Sequence, residues 1–233
     1  MASPYSGMNS NLTQFVLAQT AGEHMKTVKS EFFTKLKEGT LNGRQYHQYL
    51  TDQLHINNML EAKVQSCIEK DIRFVNADFV GIARTPGIQM DLNYTVFIDI
   101  TSQPTKEAVL YCKYLKTLSP VKFFGHFYTK YLGDLSAAEI FKKQVADKWP
   151  HYFYDFSDLL IEHQFSDTYK FKNEKFKPFF DALPLSSIEV DEFVGEVKNA
   201  FDFLGKVVEA DLGKEHATEP VPLQQYHGVL LQG

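Results

Sequence analysis

HFYTKYLGDLSAA, residues 126–138, lies inside a run, 125–144, that reads as one helix with a glycine and an aspartate at its centre. A helix-interior Gly costs roughly 1 kcal/mol against Ala, and Asp is among the weaker helix formers. The pair Gly133-Asp134 therefore works against local preference. One reading makes it a kink packed against a neighbour, with Asp134 solvated. The other lays the helix backbone close against a flat ligand, with Asp134 organising water above it.

Outward from this stretch, helical periodicity dominates. Apolar residues recur through Thr13–Leu36, which closes at Lys37-Glu38-Gly39, and step by three and four from Arg44 to Ile72. In the less regular part that follows, VFIDI alone would suit a strand. A short helix from Ile88 to Tyr94 and a loop to Pro104 is the preferred reading. Thr105–Leu118 reads as a helix with Val109, Leu110, Leu115 and Leu118 inward, and Ser119-Pro120 punctuates it. An aromatic-rich segment, Tyr152–His163, precedes a helix over Ser166–Leu183 that breaks or kinks at Lys177-Pro178. Ser187–Leu212 carries one stripe from Ile188 through Phe193, Val197, Phe201, Leu204 and Val208. No repeat or Gly/Ser-rich linker divides the chain. The expectation is all-α: a flexible segment over 1–11, one helical domain over 12–212 and a loose tail over 213–233.

Composition narrows the function. The 233 residues can bury a sizeable core, and 20 Phe and 12 Tyr argue against disorder. A net charge of −5 without a long basic run argues against a nucleic-acid partner. Cys67 and Cys112 lack CxxC spacing and read as reduced, packed thiols. The first dozen residues lack the apolar core of a secretory signal, and no run approaches the ~18 apolar residues of a membrane span. A cytoplasmic protein without a membrane anchor is the expectation.

The eight histidines show no HExxH and no Cys/His metal spacing, so a structural metal site has no support. His24, taken by spacing alone, is more often an exposed or satisfied residue than a ligand. GxSxG, P-loop and GxGxxG patterns are absent, so the chain has no flavin or nicotinamide site of its own. YKFKNEKFK, residues 169–177, interleaves Lys170, Lys172, Lys175 and Lys177 with aromatics. It reads as the wet face of an amphipathic helix, or as a cationic rim for an anionic ligand or acidic partner.

The order of these features resembles the haem oxygenases. Thr20 to His24 forms TxxxH on the first helix, Tyr128 to Ser136 reads YTKYLGDLS, and Ala200-Phe201 lies in the last long helix. The family pattern H-x-Y-T-R-Y-L-G-D-L-S-G-G stands here as His126 to Ala138. FFTKLKEG, LHINNMLE, FKPFFDALPLS and EVKNAF extend the resemblance over about residues 12–212. It implies an all-helical fold that holds haem between a proximal helix and a distal helix. His24 would ligate the iron, and Gly133 would let the distal backbone approach the porphyrin. Asp134 would anchor the water network that supplies protons while O2 is activated. Tyr128 falls at a pocket position, with Thr129 and Lys130 beside it, Lys177 at a basic position facing the propionates, and Phe201 at a wall aromatic. Haem would be both substrate and cofactor, opened to biliverdin, carbon monoxide and iron. Electrons would come from an external ferredoxin or flavoprotein reductase.

The departures from the pattern carry their own expectations. Ala137-Ala138 replaces the family's Gly-Gly, so methyl groups crowd the distal side or stiffen the helix. Val28 stands where an acid commonly orients the proximal His, which removes a partner that tunes a metal ligand. Leu17 and Asn173 replace basic residues, and Lys130 replaces the motif's Arg. These changes motivate an alternative, a haem-binding or haem-sensing homologue with weak or no turnover. A helical homologue using Cys67 or Cys112 as nucleophile is a further reading, and nothing near either thiol supports it.

Overall fold

Every regular element among the described residues, 11–77, 79–95, 103–145 and 148–213 of this computed structural model, is helical. The segments over 1–10 and 214–233, and the VFIDI stretch over 96–100, lie outside the described residues. The stripe over Thr13–Leu36 is not one helix but two, α1 (Leu12–Val28) and α2 (Glu31–Lys37). Ser30 breaks it: its hydroxyl accepts the Phe33 N–H at 3.4 Å and starts a new helix, a local choice that periodicity does not reveal. α3 (Gly43–Lys70) opens on a reciprocal Asn42/Gln45 capping box. A 3-10 turn over Ile72–Ala77 leads to α4 (Thr85–Tyr94), which starts earlier than expected because Pro86 suits its first turn. α5 (Lys106–Thr117) is capped by Thr105 and α6 runs over Pro120–Val145.

A 3-10 turn over Tyr152–Tyr154 and α7 (Ser157–Glu162) occupy the aromatic-rich segment. The helix expected over Ser166–Leu183 does not break at Pro178. α8 (Thr168–Phe171) passes through a π-turn, Lys172–Phe176, into α9 (Lys177–Asp181). The Lys177 N–H reaches back to the Lys172 carbonyl, which widens the turn just before the proline that lacks an N–H of its own. α10 (Ser187–Asp211) closes the fold behind a Ser186/Glu189 capping box.

The main core gathers around Phe123, Phe124, Phe127 and Tyr131 of α6, against α3, α5 and α10. Gly125 sets the crossing of α6 with α10: a Cβ there would come within 3.0 Å of the Glu196 Cβ and the Phe193 carbonyl. In the same crossing His126 is fully buried, its Nε2 at 2.8 Å from Glu196 and its Nδ1 at 3.0 Å from the Tyr111 hydroxyl. Burial pulls the His126 pKa down, with Glu196 opposing. A second cluster, with Phe32, Tyr46, Tyr49, Phe153 and Tyr154, lies under α2. Asp52 of α3 and Asp211 of α10 are buried against each other, and among the described residues no ion pair reaches either. Asp52 accepts the Thr105 N–H at 2.7 Å and a Gln48 amide proton at 3.3 Å, and the Thr105 hydroxyl as well. Asp52 is therefore the ionised member. Burial pushes Asp211 far above the usual carboxylate range and raises Asp52 to about 6.

Two of the residues read as inward are not. Leu110 and Ile188 face solvent, while Ala108, Val109, Tyr111, Cys112 and Leu115 carry the inner face of α5. Among the described residues no helix is long and apolar enough to cross a membrane.

Candidate active site

α1 and α6 both pack on α10 and not broadly on each other. Between them, backed by α2 and α3, lies a cavity of about 520 Å³. His24, Tyr128, Thr129, Lys130, Gly133, Asp134, Ala137, Lys177 and Phe201 all line it, so the residues singled out along the chain converge on one space. Leu17 and Val28 line it too. Ala138 does not: it is buried in the main core, so only one of the two alanines brings a methyl group to the cavity. Both cysteines are buried away from it, with burial raising each thiol pKa, which leaves no activated nucleophile.

On the α1 wall the His24 ring is exposed to the cavity, and its neighbour is Phe201, edge-on at 6.2 Å and 79°. The nearby hydroxyls do not hold it. Thr20 donates to the Val16 carbonyl at 2.8 Å and Thr27 to the Glu23 carbonyl at 3.0 Å, closing back on their own helix. Val28, one turn on, offers the imidazole no acceptor. The rotamer and Phe201 set the ring's direction.

The α6 wall is different in kind. Gly133 has helical backbone without a positive φ, and a Cβ built on it meets nothing within 4 Å. Unlike Gly125, it answers to no protein neighbour. It leaves bare helix backbone facing the cavity. Lys130, only 4 % exposed along its side chain, pairs with Asp134 one turn on and lies 5.0 Å over the Phe153 ring. Its ammonium is thus an interior partner of Asp134 and not part of a cationic rim. One Asp134 oxygen takes this ion pair, and the other has no hydrogen bond from the protein. Thr129 donates to the Gly125 carbonyl at 2.8 Å, and Tyr128 stacks on Phe176 at 6.2 Å beside the π-turn.

Lysines gather at that end. Lys177 is held by the Asn173 side chain at 3.1 Å, and Lys172 donates to the Ser136 hydroxyl at 3.1 Å. Burial and the Lys177 charge lower the Lys172 pKa. Among the described residues no carboxylate pairs with Lys170, Lys172, Lys175 or Lys177.

Among the lining residues not singled out along the chain are Tyr49, Gln53 and Tyr154. Tyr49 and Gln53 share a face of α3, four residues apart, and the Tyr49 hydroxyl meets that of Tyr154 at 3.1 Å. Burial first, and for both the nearby Asp134 charge, pushes the two phenol pKa values well up, so both stay neutral. Tyr49 was legible only as a core position, and a helical Gln carries no signal at all.

Comparison with known proteins places this arrangement. A family model described as "Heme oxygenase" matches residues 10–210. A "Heme oxygenase" of Guillardia theta is 25% identical over 207 residues, 84% of each chain. "Heme oxygenase 2" of Synechocystis sp. is 26% identical over 210 residues, covering 85% of this chain and 82% of that one. The fold matches heme oxygenase-1 from the cyanobacterium Synechocystis sp., crystallised in complex with heme, with a TM-score of 0.76 at 19% identity over 95% of this chain and 97% of that one. With its helical architecture, its cavity between first and distal helices and the family model spanning nearly all the described residues, the chain belongs to the heme oxygenase family.

Proposed function

We propose that this chain is a haem oxygenase, which opens haem to biliverdin, carbon monoxide and iron using O2 and electrons from an external donor. The observation that carries the reading is the pairing of a hydrogen-bond-free imidazole, His24, with a side-chain-free strip of helix at Gly133 on two walls of one cavity. The residues fit the group. The cavity volume lies within the usual ligand-pocket range of about 300–1,000 Å³. Its walls are largely apolar, and Lys177 stands on it as a counter-charge for carboxylates.

Haem, when bound, supplies the iron chemistry that activates O2 and is itself consumed. The chain's part is to hold it and to manage protons. His24 would hold the iron through a ring nitrogen, with Phe201 edge-on beside the ring. Gly133 lets the macrocycle approach the α6 backbone, which a Cβ would hold away. Asp134, oriented by Lys130, offers its unengaged oxygen to water, so protons reach the distal side without a bulky acid touching the iron. Lys177 pairs with a propionate, and Tyr128 and Ala137 close the wall. The electron donor is a ferredoxin or flavoprotein reductase with an acidic docking face, matched to the unpaired lysines over 170–177. Two buried free thiols suit a reducing compartment, and we assign the protein to the cytoplasm.

The alternative, haem binding with little turnover, draws on the missing acceptor at Val28. One experiment separates the two: absorbance of the hemin-loaded protein during aerobic reduction by a ferredoxin/reductase pair, with catalase present. Loss of the Soret band with growth of a biliverdin band is the expected result. A Soret band that persists as a stable complex rejects turnover, and no Soret complex at all rejects the haem reading.

A further inference from the structure

Tyr49, Gln53 and Tyr154 are 4, 2 and 2 % exposed, yet all three line the cavity. Their hydrogen-bonding capacity is largely unused. In the Tyr49–Tyr154 pair one hydroxyl donates to the other, and the second proton has no protein acceptor. Among the described residues the Gln53 side chain has no hydrogen-bond partner. Its Oε1 is buried and unpartnered, and the neighbouring Asn57 amide bonds the Gln53 backbone carbonyl at 2.8 Å, not the side chain. The cavity hydroxyls of Thr20, Thr27 and Thr129, by contrast, are all engaged with backbone carbonyls. A buried polar group without a partner carries its full desolvation penalty, and Leu or Phe would avoid it. The second tyrosine proton and the Gln53 Nε2, which no acceptor among the described residues engages, are donors that a partner entering the cavity would satisfy.

The chemistry of that partner follows from the function proposed above, on which this inference rests. Haem offers these residues little: its four ring nitrogens hold iron, its meso carbons carry C–H, and its periphery apart from the propionates is hydrocarbon. Once the macrocycle is opened and the iron released, each terminal ring is a lactam with a carbonyl and an N–H side by side. The Gln53 Nε2, which has no acceptor among the described residues, can donate to a lactam oxygen. The free tyrosine proton supplies a donor for a second carbonyl.

We propose that Gln53, supported by the Tyr49–Tyr154 hydroxyl pair, forms a recognition subsite for the lactam edge of the opened tetrapyrrole. It distinguishes product from substrate.

The test is a pair of titrations, hemin by Soret absorbance and biliverdin by quenching of Trp149 fluorescence, on wild type, Gln53→Leu and Tyr154→Phe. Gln53→Leu should weaken biliverdin by about tenfold, and Tyr154→Phe by about threefold, with hemin affinity held within about twofold. Because Gln53→Leu removes an unpartnered buried amide, its ligand-free melting temperature should equal or exceed that of wild type. Biliverdin affinity unchanged in Gln53→Leu, or hemin and biliverdin weakened in parallel, overturns the proposal. Failure of the wild type to form a Soret complex is a separate outcome: it removes the haem reading itself, and the subsite with it.

Discussion

Replacing Gly133 by alanine should stabilise the ligand-free protein and weaken its hold on haem. Gly133 sits inside α6 with helical φ, and a Cβ there meets no protein atom within 4 Å, so the added methyl meets neither strain nor collision. The gain is then the intrinsic one, about 0.8–1 kcal/mol for Gly to Ala in a helix interior. For a chain of this size that raises the melting temperature by about 2–4 °C. Gly125 provides the opposite control on the same helix. Its Cβ would lie 3.0 Å from the Glu196 Cβ and the Phe193 carbonyl, so Gly125→Ala should lower the melting temperature. The assays are thermal unfolding of both ligand-free variants and hemin titration of Gly133→Ala. A lower melting temperature for Gly133→Ala would mean that a protein neighbour requires the glycine. A higher one with hemin affinity and turnover unchanged would mean that the helix backbone does not lie against the ligand. Either result breaks the reasoning that places haem on this strip.

His24→Ala should lose the Soret spectrum of an imidazole-ligated hemin complex and regain it on addition of free imidazole; an unchanged spectrum in the variant would assign the iron to another residue. Asp211→Asn probes the buried acid pair: because burial raises both carboxyl pKa values, their stabilisation is complete below the ordinary value near 3.8, and as pH rises it is lost through about 6 for Asp52 and through a higher range for Asp211. Urea unfolding should show wild type losing stability relative to Asp211→Asn as pH rises from 4 to 8, with the histidine contributions of opposite sign cancelling in the difference, and a pH-independent difference would show that the pair holds no extra proton.

What could be read along the chain divides by the range of the interaction involved. α3, α5, α6 and α10 were legible because their apolar spacing is local. The Ser30 break was not: the stripe continues through it in phase, and a single cap hydrogen bond starts the new helix. Leu110 and Ile188 were misread because an apolar residue near the edge of a stripe can end in water. Gly133 and Asp134 announced themselves by working against helix propensity, which only an external reason sustains. Gln53 gave no such sign, being a good helix former at an ordinary helix position. Its significance needs Tyr154 brought beside α3, a contact the structure makes between Tyr49 and Tyr154 across 105 residues of sequence. The Lys130–Asp134 pair was visible as an i,i+4 spacing, but its burial was not.

The polarity of the cavity is uneven in a way that bears on how haem would lie in it. Leu17 and Val28 leave the α1 mouth apolar, 60 and 52 % exposed, and at Leu17 a basic residue would otherwise meet carboxylates. The lysines stand instead by the π-turn, next to Tyr128 and Phe176. At the other end of the same α6 wall, Phe141 touches Tyr154, close to Tyr49. Tyr128 and Phe141 are separated by about 20 Å of helix at 1.5 Å per residue. A planar ligand with its carboxylates along one edge gains an ion pair with Lys177 when that edge faces the π-turn, whereas an anion against Leu17 or Val28 loses water without gaining a cation. That orientation turns the opposite edge toward Tyr49, Gln53 and Tyr154. The substitutions that remove charge from α1 and the unpartnered amide on α3 are then two ends of one constraint. Charge at the π-turn holds the carboxylate edge, and hydrogen-bonding groups wait at the opposite edge.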